Sequence, residues 1–155
     1  MTPRKISANV INCESLKKAI NYDKRTKKTI LFLFPFVDNG IIGQMTKFSW
    51  DGIITSVDAY CNKPGAEDTI IDIETISEED FNAGQDTWKS IFNDNNKITI
   101  KANSNRHDDT YKVNDKEVHA NNIFRINFLE TGTKAIIDNT RIQGLTVQIN
   151  IEIKD

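Results

Sequence analysis

Residues 145–153 alternate without a break, with Leu145, Val147, Ile149, Ile151 and Ile153 set against Thr146, Gln148, Asn150 and Glu152. Successive side chains of an extended strand point to opposite faces, so this stretch has one apolar face and one wet face. A single strand cannot bury its own apolar face. It needs a sheet whose inner side lies against a second layer. A slip of one residue would turn the whole aliphatic set into water, so the pattern also fixes the register.

The rest of the chain supplies partners for such a strand. Strands are expected over 30–36, 41–50, 52–62, 69–76, 97–102, 110–118, 122–130 and 145–153, punctuated by turn residues at 38–40, 51–52 and 63–66. Ile30 to Phe36 is a continuous apolar run, as expected of a strand covered on both faces, and Pro35 restricts it to a sheet edge or a bulge. Asp51-Gly52 and residues 63–66 read as hairpin turns. Residues 77–85 read as acidic and loop-like, with Glu78-Glu79-Asp80 either a loop or a helix start, and Asp86 as the cap of one helical turn that would bring Trp88, Ile91 and Phe92 over the open end as a lid. Eight antiparallel strands in two packed sheets is the jelly-roll number, so the expected fold is an all-β jelly-roll sandwich over residues 29–155.

Charge divides the chain elsewhere. Residues 1–28 hold eight basic side chains (Arg4, Lys5, Lys17, Lys18, Lys24, Arg25, Lys27, Lys28) against Glu14 and Asp23, whereas the remainder holds twelve basic and twenty acidic ones. This reads as a basic arm on an acidic body. Within the arm, Asn12 can cap a short helix whose Leu16, Ala19 and Ile20 form a narrow apolar stripe. No aromatics interleave with these lysines, so nucleic acid is not the expected partner; an acidic protein surface is, met by Arg4, Lys5, Leu16, Lys17, Lys18, Ile20, Lys24, Arg25, Lys27 and Lys28.

Chemistry-bearing patterns are sparse. Cys13 and Cys61 fit no metal-ligand spacing and are expected as reduced thiols. The sequence Arg106-His107-Asp108-Asp109 reads as a solvated polar turn rather than a cation loop, which would need six or more oxygens. No nucleophile elbow or phosphate loop occurs, so neither enzyme activity nor a cofactor is expected. Trp50 and Trp88 are the candidates for glycan contact on a carbohydrate-binding jelly roll. The amino-terminal residues lack the apolar segment of a secretory signal, and no apolar run approaches the ~20 residues of a membrane-spanning helix, so an intracellular chain without a membrane partner is expected.

Three stretches together carry a resemblance: Phe34-Pro35-Phe36, then Phe48-Ser49-Trp50-Asp51-Gly52-Ile53-Ile54-Thr55-Ser56-Val57-Asp58-Ala59-Tyr60, then Pro64-Gly65-Ala66-Glu67-Asp68-Thr69-Ile70-Ile71-Asp72-Ile73. Residues 87–92, 97–100, 122–129 and 144–149 extend it, so it spans about residues 30–153. The order resembles a β-sandwich module of tailed-phage virion proteins, found in head fibres and capsid decorations and in tail and baseplate components. The resemblance implies a non-enzymatic structural protein of the virion, assembled in the host cytoplasm, with the major capsid protein or another virion protein as partner and a homotrimer as its oligomeric state. A capsid decoration or head fibre is the first expectation and a tail, collar or baseplate component the second. The module has no equivalent of the basic segment at residues 1–28.

Overall fold

The computed structural model describes residues 26–133 and 140–154. The expected short helix and the arm residues Arg4, Lys5, Leu16, Lys17, Lys18, Ile20, Lys24 and Arg25 lie outside the described residues.

Among the described residues nine strands form two antiparallel sheets around one core. They are β1 (Lys27–Phe36), β2 (Gly40–Phe48), β3 (Gly52–Lys63), β4 (Thr69–Ile76), β5 (Lys89–Ser90), β6 (Ile98–Ile100), β7 (Glu117–Val118), β8 (Asn122–Thr131) and β9 (Gln143–Ile153), with a five-residue helix, α1 (Glu78–Asn82), after β4. The first sheet has the order β1-β9-β3-β7 and the second β2-β8-β4-β5, with β6 also paired to β4. β9 is the strand with the cleanest alternation, and it is flanked over most of its length by β1 on one side and β3 on the other. Its Leu145, Val147, Ile149 and Ile151 are buried with Ile30, Phe32 and Phe34 of β1 and Val57 and Ala59 of β3. From the second sheet Ile71, Ile73, Phe124, Ile126 and Phe128 enter the same cluster, and Phe34 meets Phe128 edge-to-face at 5.0 Å. The molecule is therefore an all-β sandwich, as the alternation implied.

Several local expectations change. β1 is an edge strand, in keeping with Pro35, but only one of its faces is covered: Leu31 and Leu33 are exposed while Phe32 is fully buried. Among the described residues no layer lies over the outer face of this sheet, and an apolar run alone does not reveal that.

The turns at 51–52 and 63–66 are real but are not hairpins. β2 and β3 belong to different sheets, as do β3 and β4, so each turn carries the chain from one layer to the other. Gly52 is needed for a different reason than hairpin geometry. A Cβ there would lie 2.6 Å from Ile151 Cγ2 and 2.8 Å from the carbonyl oxygen of Glu152.

Of the two readings of Glu78-Glu79-Asp80, the helix start is the one observed: α1 is capped by Ser77, whose Oγ accepts from the Asp80 amide at 3.2 Å, and Glu78, Glu79 and Asp80 fill the first turn, where carboxylates suit the helix dipole. The expected helical lid at 86–92 is instead extended: Lys89 and Ser90 pair with Thr75 and Glu74, and Ile91 and Phe92 fall into the core. The expected strand at 110–118 is reduced to β7 and a single bridge from Val113 to Phe92.

Candidate functional site

Polar side chains on the outer face of the first sheet form one connected network. Strand register sets Ser56, Asn150 and Thr29 on one rung and Asp58, Gln148 and Leu31 on the next. Asn150 Nδ2 donates to Ser56 Oγ at 2.8 Å and to Asp58 Oδ2 at 3.2 Å, and Gln148 Nε2 donates to the same oxygen at 3.3 Å. Asp58 Oδ1 faces His107 Nε2 at 3.2 Å and the Arg106 guanidinium at 3.5 Å. His107 is brought there because residues 105–107 run along β3, the His107 amide donating to the Ala59 carbonyl at 2.9 Å. Its side chain is only 3% exposed, and Nδ1 lies 2.6 Å from the Asp108 carbonyl oxygen. Within the expected solvated turn His107 alone is buried, while Arg106 and Asp109 are exposed; the polar composition of 106–109 does not single it out.

Burial pushes the Asp58 carboxyl up, but the hydrogen bonds from His107 and Asn150 and the charges of His107 and Arg106 outweigh it and hold the group below the ordinary carboxylate value. Both oxygens are occupied by protein donors, so the carboxylate serves structure and is not presented to a ligand. Because its folded pKa is lowered, the stabilisation is complete above the unfolded carboxylate value of about 3.9 and is lost as pH falls through the folded value. Asp58→Asn is expected to cost about 1.5–3 kcal/mol at neutral pH. The gap from wild type should narrow on acidification, as urea unfolding at neutral and acid pH will show. A gap independent of pH would contradict this assignment.

The outer face of the second sheet holds another closed cluster. Asp72 is 6% exposed, accepts from Ser90 Oγ and lies 3.3 Å from Lys97 Nζ. Lys97 Nζ donates to Ser90 Oγ at 2.8 Å, and the Phe92 amide donates to the same oxygen at 3.1 Å. Burial raises the Asp72 pKa, and the contacts with Ser90 and Lys97 partly offset that. A serine beside a lysine suits nucleophilic chemistry only when the amine is free to take the hydroxyl proton. Here the amine donates to the hydroxyl and the hydroxyl donates to a carboxylate. The clefts beside Tyr111, beside Arg141 and beside Asp68 are not lined by these side chains. One rung on, Arg125 donates to Glu74 at 2.8 Å and its guanidinium stacks 3.9 Å over Trp88.

The two tryptophans singled out for glycan contact are therefore held by different partners. Trp50, on the turn after β2, meets Phe48 edge-on at 5.5 Å and carries Lys28 Nζ 4.4 Å over its ring. Trp88 lies between Arg125 and Phe81, the latter at 6.4 Å. Lys27 and Lys28, expected in the arm, are the first residues of β1. Cys61 is a free, buried thiol whose pKa is raised by burial. Among the described residues no group of three potential metal ligands converges, and no helix is long and apolar enough to cross a membrane.

Exposed apolar side chains on the two edge strands β1 and β2 are not announced by the sequence pattern. β1 and β2 are the edge strands of their respective sheets and are joined by residues 37–39, which places them together. Leu31, Leu33 and Phe36 of β1 are 51%, 56% and 76% exposed, and Ile41 and Met45 of β2 are both 54% exposed. They do not form one patch: Leu31 and Leu33 lie on the outer face of the first sheet, whereas Ile41 and Met45 stand beside Asn127 and Arg125 on the outer face of the second, and Trp50, Ile53, Tyr60, Phe81 and Leu129 are exposed elsewhere. The available signals were Pro35 and the Lys27-Lys28 pair, both typical of an edge strand.

Comparison with protein-family models, with curated proteins and with solved structures gives no match for this chain.

Proposed function

We propose that this chain is a non-enzymatic structural protein of a tailed-phage virion, a capsid decoration or head-fibre component attached to the particle by the basic residues that precede β1. The observation that carries the reading is the uncovered outer face of β1, where Leu31 and Leu33 stand exposed, on a body whose polar clusters are engaged with themselves. Such a molecule is suited to contact other proteins rather than to transform a small molecule.

The strand pairing supports the virion module as well. The ladders β1·β9, β2·β8, β3·β7 and β4·β6 nest one inside the next, so the chain pairs as a long ribbon folded over on itself. That nesting favours a jelly-roll arrangement with one short strand beyond the eight expected. The engaged rings of Trp50 and Trp88 weigh against a glycan platform.

The test is co-sedimentation with particles assembled without this chain. The full chain is expected to bind, and the chain lacking residues 1–25 to remain folded but lose the particle. Truncation stops at residue 25 because the Thr26 carbonyl accepts from the Ile153 amide at 2.9 Å and β1 begins at Lys27. Binding to isolated tails and not to heads would move the protein to the collar or baseplate. Binding to neither would overturn the reading.

A further inference from the structure

β1 presents an open edge of unusual regularity. It is the outermost strand of its sheet, paired only with β9 among the described residues, so alternate backbone N–H and C=O groups of residues 27–36 face outward. Edge strands are ordinarily blunted by lysine, proline or a bulge. Here Lys27 and Lys28 stand at one end and Pro35 near the other. Residues 29–34 carry no charge and no proline, and their register with β9 is continuous. Leu31 and Leu33 stand exposed on the outer face of this same run.

We infer that this edge is occupied by β1 of a second copy of the chain, joined antiparallel about a twofold axis at Phe32. The choice of occupant follows from the other edges. β2 shifts register between Ile41 and Met45 and holds Gly43 at a φ of +67°, β5 and β7 have two residues each, and β6 has three. Among the described strands, only another β1 offers a straight run of matching length.

The chemistry along the strand agrees with that pairing. An axis at Phe32 sets Leu31 against the partner's Leu33 and Leu33 against the partner's Leu31, so the four exposed leucines close over one another. It sets Lys28 against the partner's Phe36, which places the two copies' Lys28 about eight residues, or ~27 Å, apart. That is well beyond the screening length of about 8–10 Å at physiological salt. A parallel pairing would stack the lysines instead. The antiparallel ladder continues the sheet through the axis as β7-β3-β9-β1 followed by the same order reversed, and it is isologous, as a closed dimer requires.

This inference goes beyond the assembly reading and puts a twofold dimer in place of the homotrimer that the resemblance implies; its test needs no particle, so the two can fail separately. Sedimentation velocity of the full chain over roughly 1–100 μM, the range expected of a small interface, should show a mass rising to twice that of the monomer. Leu31→Lys combined with Leu33→Lys puts like charges across the axis and should weaken the dimer at least about tenfold, a change of ~1.4 kcal/mol. Leu31→Lys combined with Leu33→Glu puts opposite charges across it and should restore the dimer. Both positions are more than half exposed, so circular dichroism should show each variant folded. A monomer at every concentration, including one whose edge is covered by its own residues 1–25, would overturn the inference. So would a trimer, which needs a head-to-tail interface, or a dimer that neither pair of substitutions affects.

Discussion

Lys97→Ala should destabilise this protein by about 3–5 kcal/mol, the cost of removing one partner from a buried ion pair. Lys97 and Asp72 have side chains 13% and 8% exposed, and Ser90 bridges them. Without the ammonium, the Asp72 carboxylate is left in a dry site with a single hydroxyl donor. Its already raised pKa must rise further, so the variant should regain stability as the pH is lowered and the carboxyl takes up a proton. Lys97→Met together with Asp72→Leu removes both charges, and that double variant should recover most of the loss. Urea unfolding of the three proteins measures this directly. A single variant that loses less than about 1 kcal/mol would place the pair among exposed salt bridges instead.

Phe128→Ala should cost a similar amount, about 3–5 kcal/mol, for a different reason. Phe128 is 1% exposed at the middle of the body, and its ring meets Phe34 from the opposite layer. Truncation leaves a cavity between two sheets that cannot close independently, since each is held by its own backbone ladders. Leu33→Ala, on the same strand as Phe34 but on the outer face, should change stability by no more than about 0.5 kcal/mol. Thermal and urea unfolding of this pair separate the inside of β1 from its outside. Equal losses at the two positions would mean that something covers Leu33 within a single chain.

The strands that could be read in the sequence are those whose two faces differ in chemistry. In β9 the alternation of Val147 and Ile149 with Gln148 and Asn150 stated both the element and its orientation. β1 could not be read this way because Leu31 and Leu33 are as apolar as Phe32 and Phe34, and nothing local distinguishes the buried face from the exposed one. Turn chemistry behaved in the same manner. Asp51-Gly52 announces a reversal, but whether the next strand pairs or steps to the other layer depends on partners almost a hundred residues away, Ile151 and Glu152.

The polar clusters were invisible for a related reason. Asp58, His107, Gln148 and Asn150 come from three separate regions of the chain, and so do Asp72, Ser90 and Lys97. Their meeting is a product of the ladders, and no spacing in the sequence encodes it.

The proposal of a protein-contacting body rests on a core closed between two layers, polar clusters engaged with themselves on the outer faces, and an uncovered apolar outer face on β1. The most direct measurement of that claim is the stoichiometry of particle binding in the co-sedimentation described above. Binding of the full chain should saturate at a fixed number of copies per particle and disappear when residues 1–25 are removed. Binding that never saturates, or that is unchanged by the truncation, would contradict it.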